Sequence, residues 1–298
     1  KTRFLCQKYR DKELTVKLPI LMLERDTFDT MLMERCESYG VDVRYATRAT
    51  KVHSGKNYIV TNHGDKIQYD YLIGADGPLS IIAKHMGYRM KLYPLAYAKA
   101  KSKFDTGDTS YVIFDKTLKG YLWMFPKGKY TNIGVGGETN GEYINNSLNN
   151  MIKEYGMNVT YKHGWVIALD YDGNVPHKDN IILCGDAASF VNPVTGEGIY
   201  NAMKSGREAG MVINGEMAAS DYPSFSDRLK YMERLKKAFL KEYESESDVI
   251  LDMALHKVEI SERTLRLMFG DEPIKKELEP MNDKKKLELY KKIVGVIE

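Results

Sequence analysis

The sequence predicts an α/β fold interrupted by an antiparallel sheet and followed by C-terminal helices, and three observations carry that expectation. Residues 68–83 and 181–206 each read as an apolar strand, a glycine-containing turn and the start of a helix. Residues 89–177, between them, read mostly as strands. From Asp221 onward the chain is rich in Lys and Glu, with apolar residues at three- and four-residue steps. Two strand–turn–helix units separated by strands describe a discontinuous α/β domain with a sheet inserted into it.

Taken in order, residues 1–10 read as a polar edge strand or tail. In Leu23-Glu-Arg-Asp-Thr-Phe-Asp29, Asp26 and Thr27 are good helix caps, and Phe28, Leu32 and Cys36 follow at helical spacing, a face expected in the core. Glu24 and Asp26 suit Arg25 to a surface ion pair. Residues 69–73 form an apolar strand, and Gly74-Ala-Asp-Gly77 is a tight turn leading through Pro78 to a helix with Ile81, Ile82 and Ala83. Alone, Ala-Asp-Gly is a common turn.

Strands are expected at 111–114, 121–125, 131–135 and 165–169, with one helix over 147–155. From Gly120 to Gly136 the pattern alternates, so Tyr121, Trp123 and Phe125 share a face before the turn at Pro126-Lys-Gly128. Without context that face is ordinary core. Residues 181–183 are a short apolar strand that stops at Gly185-Asp186; a loop with Pro193 follows, and a helix opens at Gly196-x-Gly198. Free N–H groups at such a helix start favour an anionic or electron-rich group, and Asp186 could accept hydrogen bonds from polyol hydroxyls. An ordinary βα turn with structural glycines is the alternative. Phe225, Leu229, Met232, Leu235 and Phe239 form an apolar stripe suited to packing on the core, while Lys236, Lys237 and Lys241 beside it leave a membrane-surface role open. Residues 284–294 read as a short amphipathic helix with a basic, solvated face.

Four motifs together resemble one family. G-D-A-A-x4-P-x2-G-x-G from Gly185 matches the flavin-contacting segment of the FAD-dependent hydroxylase and reductase superfamily, and G-A-D-G-x-x-S from Gly74 matches its pyrophosphate turn. Y-x-W-x-F-P-x7-G-x-G, from Tyr121 through Pro126 to Gly134 and Gly136, resembles the substrate-cavity signature of the geranylgeranyl reductases, and R-x-x-F-D places Arg25. The resemblance implies FAD as cofactor, with Asp186 on the ribitol chain. Amides near Gly196, Gly198 and Ile199 would face the pyrimidine ring, with Gly185, Ala187 and Pro193 alongside. Gly74, Asp76 and Gly77 would lie on the phosphate side, and Arg25 near FAD. Tyr121, Trp123, Phe125, Pro126, Gly134 and Gly136 would line an apolar cavity for an isoprenoid chain.

Members of that superfamily open with a βαβ unit carrying G-x-G-x-x-G, which this chain lacks, so the FAD/NAD(P)-binding, hydroxylase-like domain is expected to be N-terminally incomplete. Truncation, a partner chain supplying the nucleotide-binding unit, or loss of tight FAD binding would each account for this. The domains expected are 1–88 with 178–220 for FAD, an inserted antiparallel-sheet substrate domain over 89–177, and a helical region over 221–298.

The 298 residues suffice for two domains, and 43% hydrophobic with 29% charged residues is ordinary for a soluble globular chain. A net charge of +3 is too small to argue for nucleic acid. Three scattered cysteines, no signal peptide and no run of transmembrane length suggest a reduced cytoplasmic protein, with peripheral membrane contact left open. Cys184 reads as a small core residue. The six histidines show no metal-ligand spacing, and Asp170 and Asp172 read as a solvated loop.

The function expected is a flavin-dependent reductase saturating C=C bonds of geranylgeranyl or other prenyl chains of lipids, by hydride transfer from reduced FAD to one alkene carbon while a proton reaches the other. Tyr121 and bound water are equally open as its donor, and no catalytic acid is assigned. A ferredoxin or NAD(P)H are both open as electron donor. The alternatives are an FAD-dependent aromatic hydroxylase or halogenase, which would lack the aromatic hairpin motif, and a non-catalytic prenyl-lipid-binding remnant.

Overall fold

The computed structural model describes residues 2–9, 12–18, 20–101, 106–170 and 175–244. Its elements in chain order are β1 (Phe4–Tyr9), β2 (Lys12–Val16), α1 (Arg25–Ser38), β3 (Ala49–His53), β4 (Tyr58–Thr61), β5 (Lys66–Gln68), β6 (Leu72–Gly74), α2 (Ile81–Met86), β7 (Leu92–Lys101), β8 (Thr109–Asp115), β9 (Gly120–Pro126), β10 (Thr131–Gly137), α3 (Gly141–Glu154), β11 (Asn158–Ala168), β12 (His177–Lys178), β13 (Ile181–Leu183), α4 (Ile199–Ile213) and α5 (Ser226–Glu244).

Seven strands form the large sheet, in the order β11-β7-β10-β9-β8-β1-β2. Period-two alternation divides its faces. Ala96, Ala98 and Ala100 of β7, Met124 of β9, and Ile133 and Val135 of β10 are buried on one face. Small alanines let α3 approach closely, and its Ile144, Leu148 and Met151 complete that core. The Asn140 side chain starts α3 by accepting from the Tyr143 amide at 2.8 Å. Tyr97, Trp123, Gly134 and His163 fall in one cross-strand row on the opposite face.

A second sheet, β12-β13-β6, joins residues more than a hundred positions apart: β13 runs parallel to β6, with Leu72 opposite Ile181 and Gly74 opposite Leu183. Ile181, Ile182 and Leu183 are all buried, as a strand covered on both faces requires. They pack with Ile82, Ala83, Phe190, Ala209, Phe225 and Leu229. Phe190 is fully buried, and truncating it to Ala would cost about 3–5 kcal/mol.

Several expectations need correction. β1 is an interior strand, parallel to β8 on one side and antiparallel to β2 on the other, so the first strands join the large sheet and not the segments around β6. Its polar letters are misleading because they find cross-strand partners: Lys8 pairs with Glu13 at 2.8 Å, while Leu5 and Cys6 are buried. β7, the strand between β10 and β11, was not foreseen, and α3 begins six residues before the expected helix. No residue of α1 is buried, Cys36 is exposed, and Glu24 occupies the N-cap in place of Asp26 or Thr27. Polar contacts at its start hold this helix, not an apolar face.

On α5, Phe225, Leu229 and Met232 are buried, whereas the side chains of Leu235, Phe239 and Lys241, and residues 284–294, lie outside the described residues. Lys236 is only 9% exposed: it pairs with Asp170, which also accepts from the Tyr93 hydroxyl at 2.7 Å. Asp170 is therefore held in an ionic cluster and not solvated; Asp172 lies outside the described residues. Cys184 is buried, with its thiol pushed up by burial. Among the described residues, no helix is long and apolar enough to cross a membrane.

Candidate functional site

Because β6 and β13 are parallel neighbours, the turns after them open at the same end of the sheet, where an open α/β sheet leaves a crevice. In the first turn a side chain at Gly74 would lie 2.7 Å from Leu183 Cδ2, so glycine lets the strands pack. Asp76 accepts from the Ser80 hydroxyl at 2.5 Å and the Ile81 amide at 2.9 Å, while Ser80 accepts from the Ala83 amide at 2.9 Å. Its carboxylate is thus engaged at the start of α2, and Gly77 follows with φ +80°.

Asp186 differs. It lies in the 3-10 turn Gly185–Ala188, beside the fully buried Ala187, and among the described residues no group donates a hydrogen bond to its carboxylate. Burial pushes its carboxyl above the usual range, with the Arg25 charge opposing that rise and Glu197 adding to it. A largely desolvated carboxylate without donors is costly by itself and suited to accept from hydroxyls of a bound group.

The loop after it is built by residues that motif reading does not single out. Asn192 accepts from the Gly196 amide at 2.8 Å through its carbonyl, and from the Val194 and Thr195 amides at 3.0 and 3.2 Å through its side chain, wrapping the turn around Pro193. Asn201 donates to the Phe190 carbonyl at 2.7 Å, and Ser205 accepts from the Gly185 amide at 3.0 Å. The one available signal was an Asn before Pro in a loop. Gly196 sits at φ +67°, and a side chain at Gly198 would come within 3.2 Å of Asp186 Oδ1. α4 starts at Ile199 with no side chain capping from Gly198, although Glu197 Oε1 accepts from the Tyr200 amide at 2.9 Å and so shares the positive end of the helix.

The aromatic hairpin meets this loop directly. The Tyr121 hydroxyl donates to the Thr195 carbonyl, and burial pushes its pKa up to about 12, which keeps it a neutral donor. Tyr121 and Trp123 have ring centroids 5.9 Å apart, and Trp123 stacks on Phe125 at 6.3 Å. The Trp123 indole donates to Asn132 Oδ1 at 2.8 Å. Its ring lies so close to Gly134 that a Cβ there would be 2.0 Å from Trp123 Cζ2; Gly136 continues the same low floor, and Pro126 ends β9 opposite Thr131.

Arg25 grips Asp29 through two nitrogens, at 2.9 and 2.7 Å, a surface ion pair whose partner is Asp29 and not the expected Glu24 or Asp26, and its charge also reaches Asp186 and Tyr97. Two hairpin residues anchor the start of α1: Lys127 donates to the Leu23 carbonyl at 2.5 Å and Tyr130 to Glu24 at 2.7 Å. The structure therefore brings together Arg25, Asp186, the Gly196–Gly198 loop and the aromatic face, with the Gly74–Gly77 turn at the end of the neighbouring strand. The Asp186 carboxylate without a donor among the described residues, the Gly198 and Ile199 amides at the start of α4 and the glycine approach to Asp186 fit a polyol-linked, electron-rich cofactor of the flavin type.

Comparison with known proteins agrees with this fit. An FAD binding domain family matches residues 7–133. The chain is similar to the digeranylgeranylglycerophospholipid reductase of Methanococcus vannielii, 29% identical over 71% of this chain and 60% of that protein. It is similar to that of Methanosarcina acetivorans, 29% identical over 78% and 61%. Among solved structures it resembles a geranylgeranyl bacteriochlorophyll reductase-like protein from Thermoplasma acidophilum, with a TM-score of 0.70 and 19% identity over 93% of this chain and 82% of that one. The chain spans about three fifths of the length of these curated relatives. It carries part of an FAD binding domain and, over about seven tenths of its length, is similar to digeranylgeranylglycerophospholipid reductases.

Proposed function

We propose that this chain forms the flavin- and substrate-facing part of a reductase that saturates C=C bonds in the prenyl chains of lipids. The observation that carries this reading is the Tyr121–Thr195 hydrogen bond, which fastens an aromatic sheet face against the loop suited to a flavin. The names of the relatives, digeranylgeranylglycerophospholipid reductases, supply the substrate class.

Asp186 would hold the ribitol hydroxyls, the Gly198 and Ile199 amides the pyrimidine edge, with the Gly196 and Glu197 amides spent on shaping the loop, and Arg25 would balance nearby negative charge. The amides of the Gly74–Gly77 turn would face the phosphates, with Asp76 acting indirectly by fixing that turn, since its carboxylate facing a phosphate would be repelled. FAD when bound supplies the hydride. An unactivated alkene develops no oxyanion, so the work of Tyr121, Trp123 and Phe125 is to exclude water and align the chain. The Tyr121 proton is occupied by the Thr195 carbonyl, which makes this tyrosine a positioning group. A ferredoxin or NAD(P)H would supply electrons, and the lipid would be drawn from a bilayer by peripheral contact.

Two measurements test this. The purified chain should retain FAD absorbance after desalting. Reduced anaerobically, it should add two mass units to a geranylgeranyl lipid per bond saturated. Oxygen-dependent hydroxylation of an aromatic compound, with prenyl lipid untouched, would transfer the assignment to the hydroxylase reading.

A further inference from the structure

We propose that the edge strand β11 forms a second aromatic wall of the cavity and holds the part of a prenyl chain beyond the reacting bond; this rests on the prenyl-lipid reading above. Residues paired directly across a sheet share a face. His163 lies opposite Tyr97, Tyr97 opposite Gly134, and Gly134 opposite Trp123. Trp165 is connected in the same way through Leu95 and Gly136 to Tyr121. Tyr161, His163 and Trp165 therefore stand on the same face as Tyr121, Trp123 and Phe125, three strands away.

The two walls differ in solvation. Tyr121 is half-buried with its hydroxyl fastened to the loop, whereas Tyr161 is 46% and Trp165 50% exposed. The β11 rings stand as near-parallel plates, Tyr161 to His163 at 6.1 Å and 20°, His163 to Trp165 at 5.8 Å and 27°, with Tyr97 against the first two at 6.0 and 5.9 Å. Between the walls lie Leu95, Tyr97, Gly134 and Gly136; the Trp123 ring lies over Gly134, and Gly136 and Leu95 leave the lower ground beside it. Seven residues of β10 span roughly 20 Å at the rise of a strand. The two rows through Tyr97–Gly134 and Leu95–Gly136 are lined by aromatic, aliphatic and glycine residues from the loop to the exposed edge, with Lys99 and Asn132 bounding them in the next row, which suits a ligand whose reacting bond is inside and whose remainder extends outward, a long apolar chain.

The protein has only two tryptophans, Trp123 and Trp165, one on each wall. In the FAD-loaded full chain, Trp123→Phe leaves Trp165 as sole reporter, and Trp165→Phe leaves Trp123. Geranylgeranyl diphosphate is expected to give a saturable blue shift of Trp165 emission, and geranyl diphosphate, inorganic diphosphate and phosphatidylcholine vesicles none. Tyr161→Ala should weaken geranylgeranyl binding about three- to tenfold and leave geranyl binding unchanged. A silent Trp165 with a responding Trp123 would overturn the second wall. An equal Trp165 response to geranyl diphosphate would overturn its distal role, and a response to vesicles alone would make it a bilayer contact instead. Silence of both tryptophans would remove the prenyl-lipid reading along with this one.

Discussion

The turns after β6 and β13 are near twins in sequence and opposites in use. Each follows a three-residue strand, contains an aspartate beside glycine, and precedes a helix. Asp76 is consumed by its own helix, taking the Ser80 hydroxyl and the Ile81 amide. Asp186 has no donor among the described residues and carries the cost of burial. An acid with its partners supplied by the chain is a structural part; one partly desolvated without donors, with only the Arg25 charge to offset that, is suited to accept from something that binds. The difference lies in which donors come within reach: those around Asp76 are supplied by its own helix, and Asp186 has none among the described residues.

The sharpest test of that contrast is Asp186→Ala, which should weaken FAD binding by about 100-fold, the equivalent of losing charge-assisted hydrogen bonds worth about 1.5–3 kcal/mol each. Titration of FAD into the desalted protein measures it; unchanged affinity would make Asp186 as structural as Asp76.

Next in size is the effect of pH. A raised carboxyl pKa means that the folded protein without flavin favours protonated Asp186. That contribution is complete below the ordinary value of 3.8 and is lost as pH rises through the folded value. Asp186→Asn should therefore stabilise the flavin-free protein at neutral pH, a gain that vanishes below 3.8 in urea unfolding. FAD needs the ionised form to accept its hydroxyls, so affinity should fall by about tenfold per pH unit once pH drops below the folded value.

For Asp76→Ala the expected loss falls on the fold and not on the ligand. Removing the acceptor that holds the Ser80 cap and the Ile81 amide should cost about 1 kcal/mol in denaturant unfolding, with FAD affinity changed by only about twofold. A loss of affinity as large as that of Asp186→Ala would dissolve the distinction. The smallest effect belongs to Glu197→Gln. Removing a negative charge from the positive end of α4 and from the neighbourhood of Asp186 should tighten FAD by about two- to fivefold, consistent with about 0.3–1 kcal/mol for a charge at a helix end.

Legibility followed the range of the interaction. The apolar triplet Ile181, Ile182 and Leu183, the glycine turns and the alternation of Tyr121, Trp123 and Phe125 could be read from neighbours along the chain, because strand period and turn chemistry are local. β1 was misread because Lys8 and Gln7 look solvent-facing until Glu13 and the flanking strands are present. α1 was misread because its apolar spacing has no buried partner, its anchors being Lys127 and Tyr130 from a hairpin about a hundred residues away. Asn192 left only a weak trace, since an Asx turn needs the loop around it to be recognised.

The amino-acid sequence by itself determined the strand–turn–helix units, the aromatic hairpin and the identity of the acids, since each depends on residues within a few positions of one another. The tertiary structure alone decided which acid is left unpartnered, that the hairpin is fastened to the loop through Tyr121 and Thr195, and that Lys236 is buried against Asp170. These depend on parallel pairing across more than a hundred residues and on burial, and burial sets the cost of an unpaired charge. Neither exists until the chain has closed on itself.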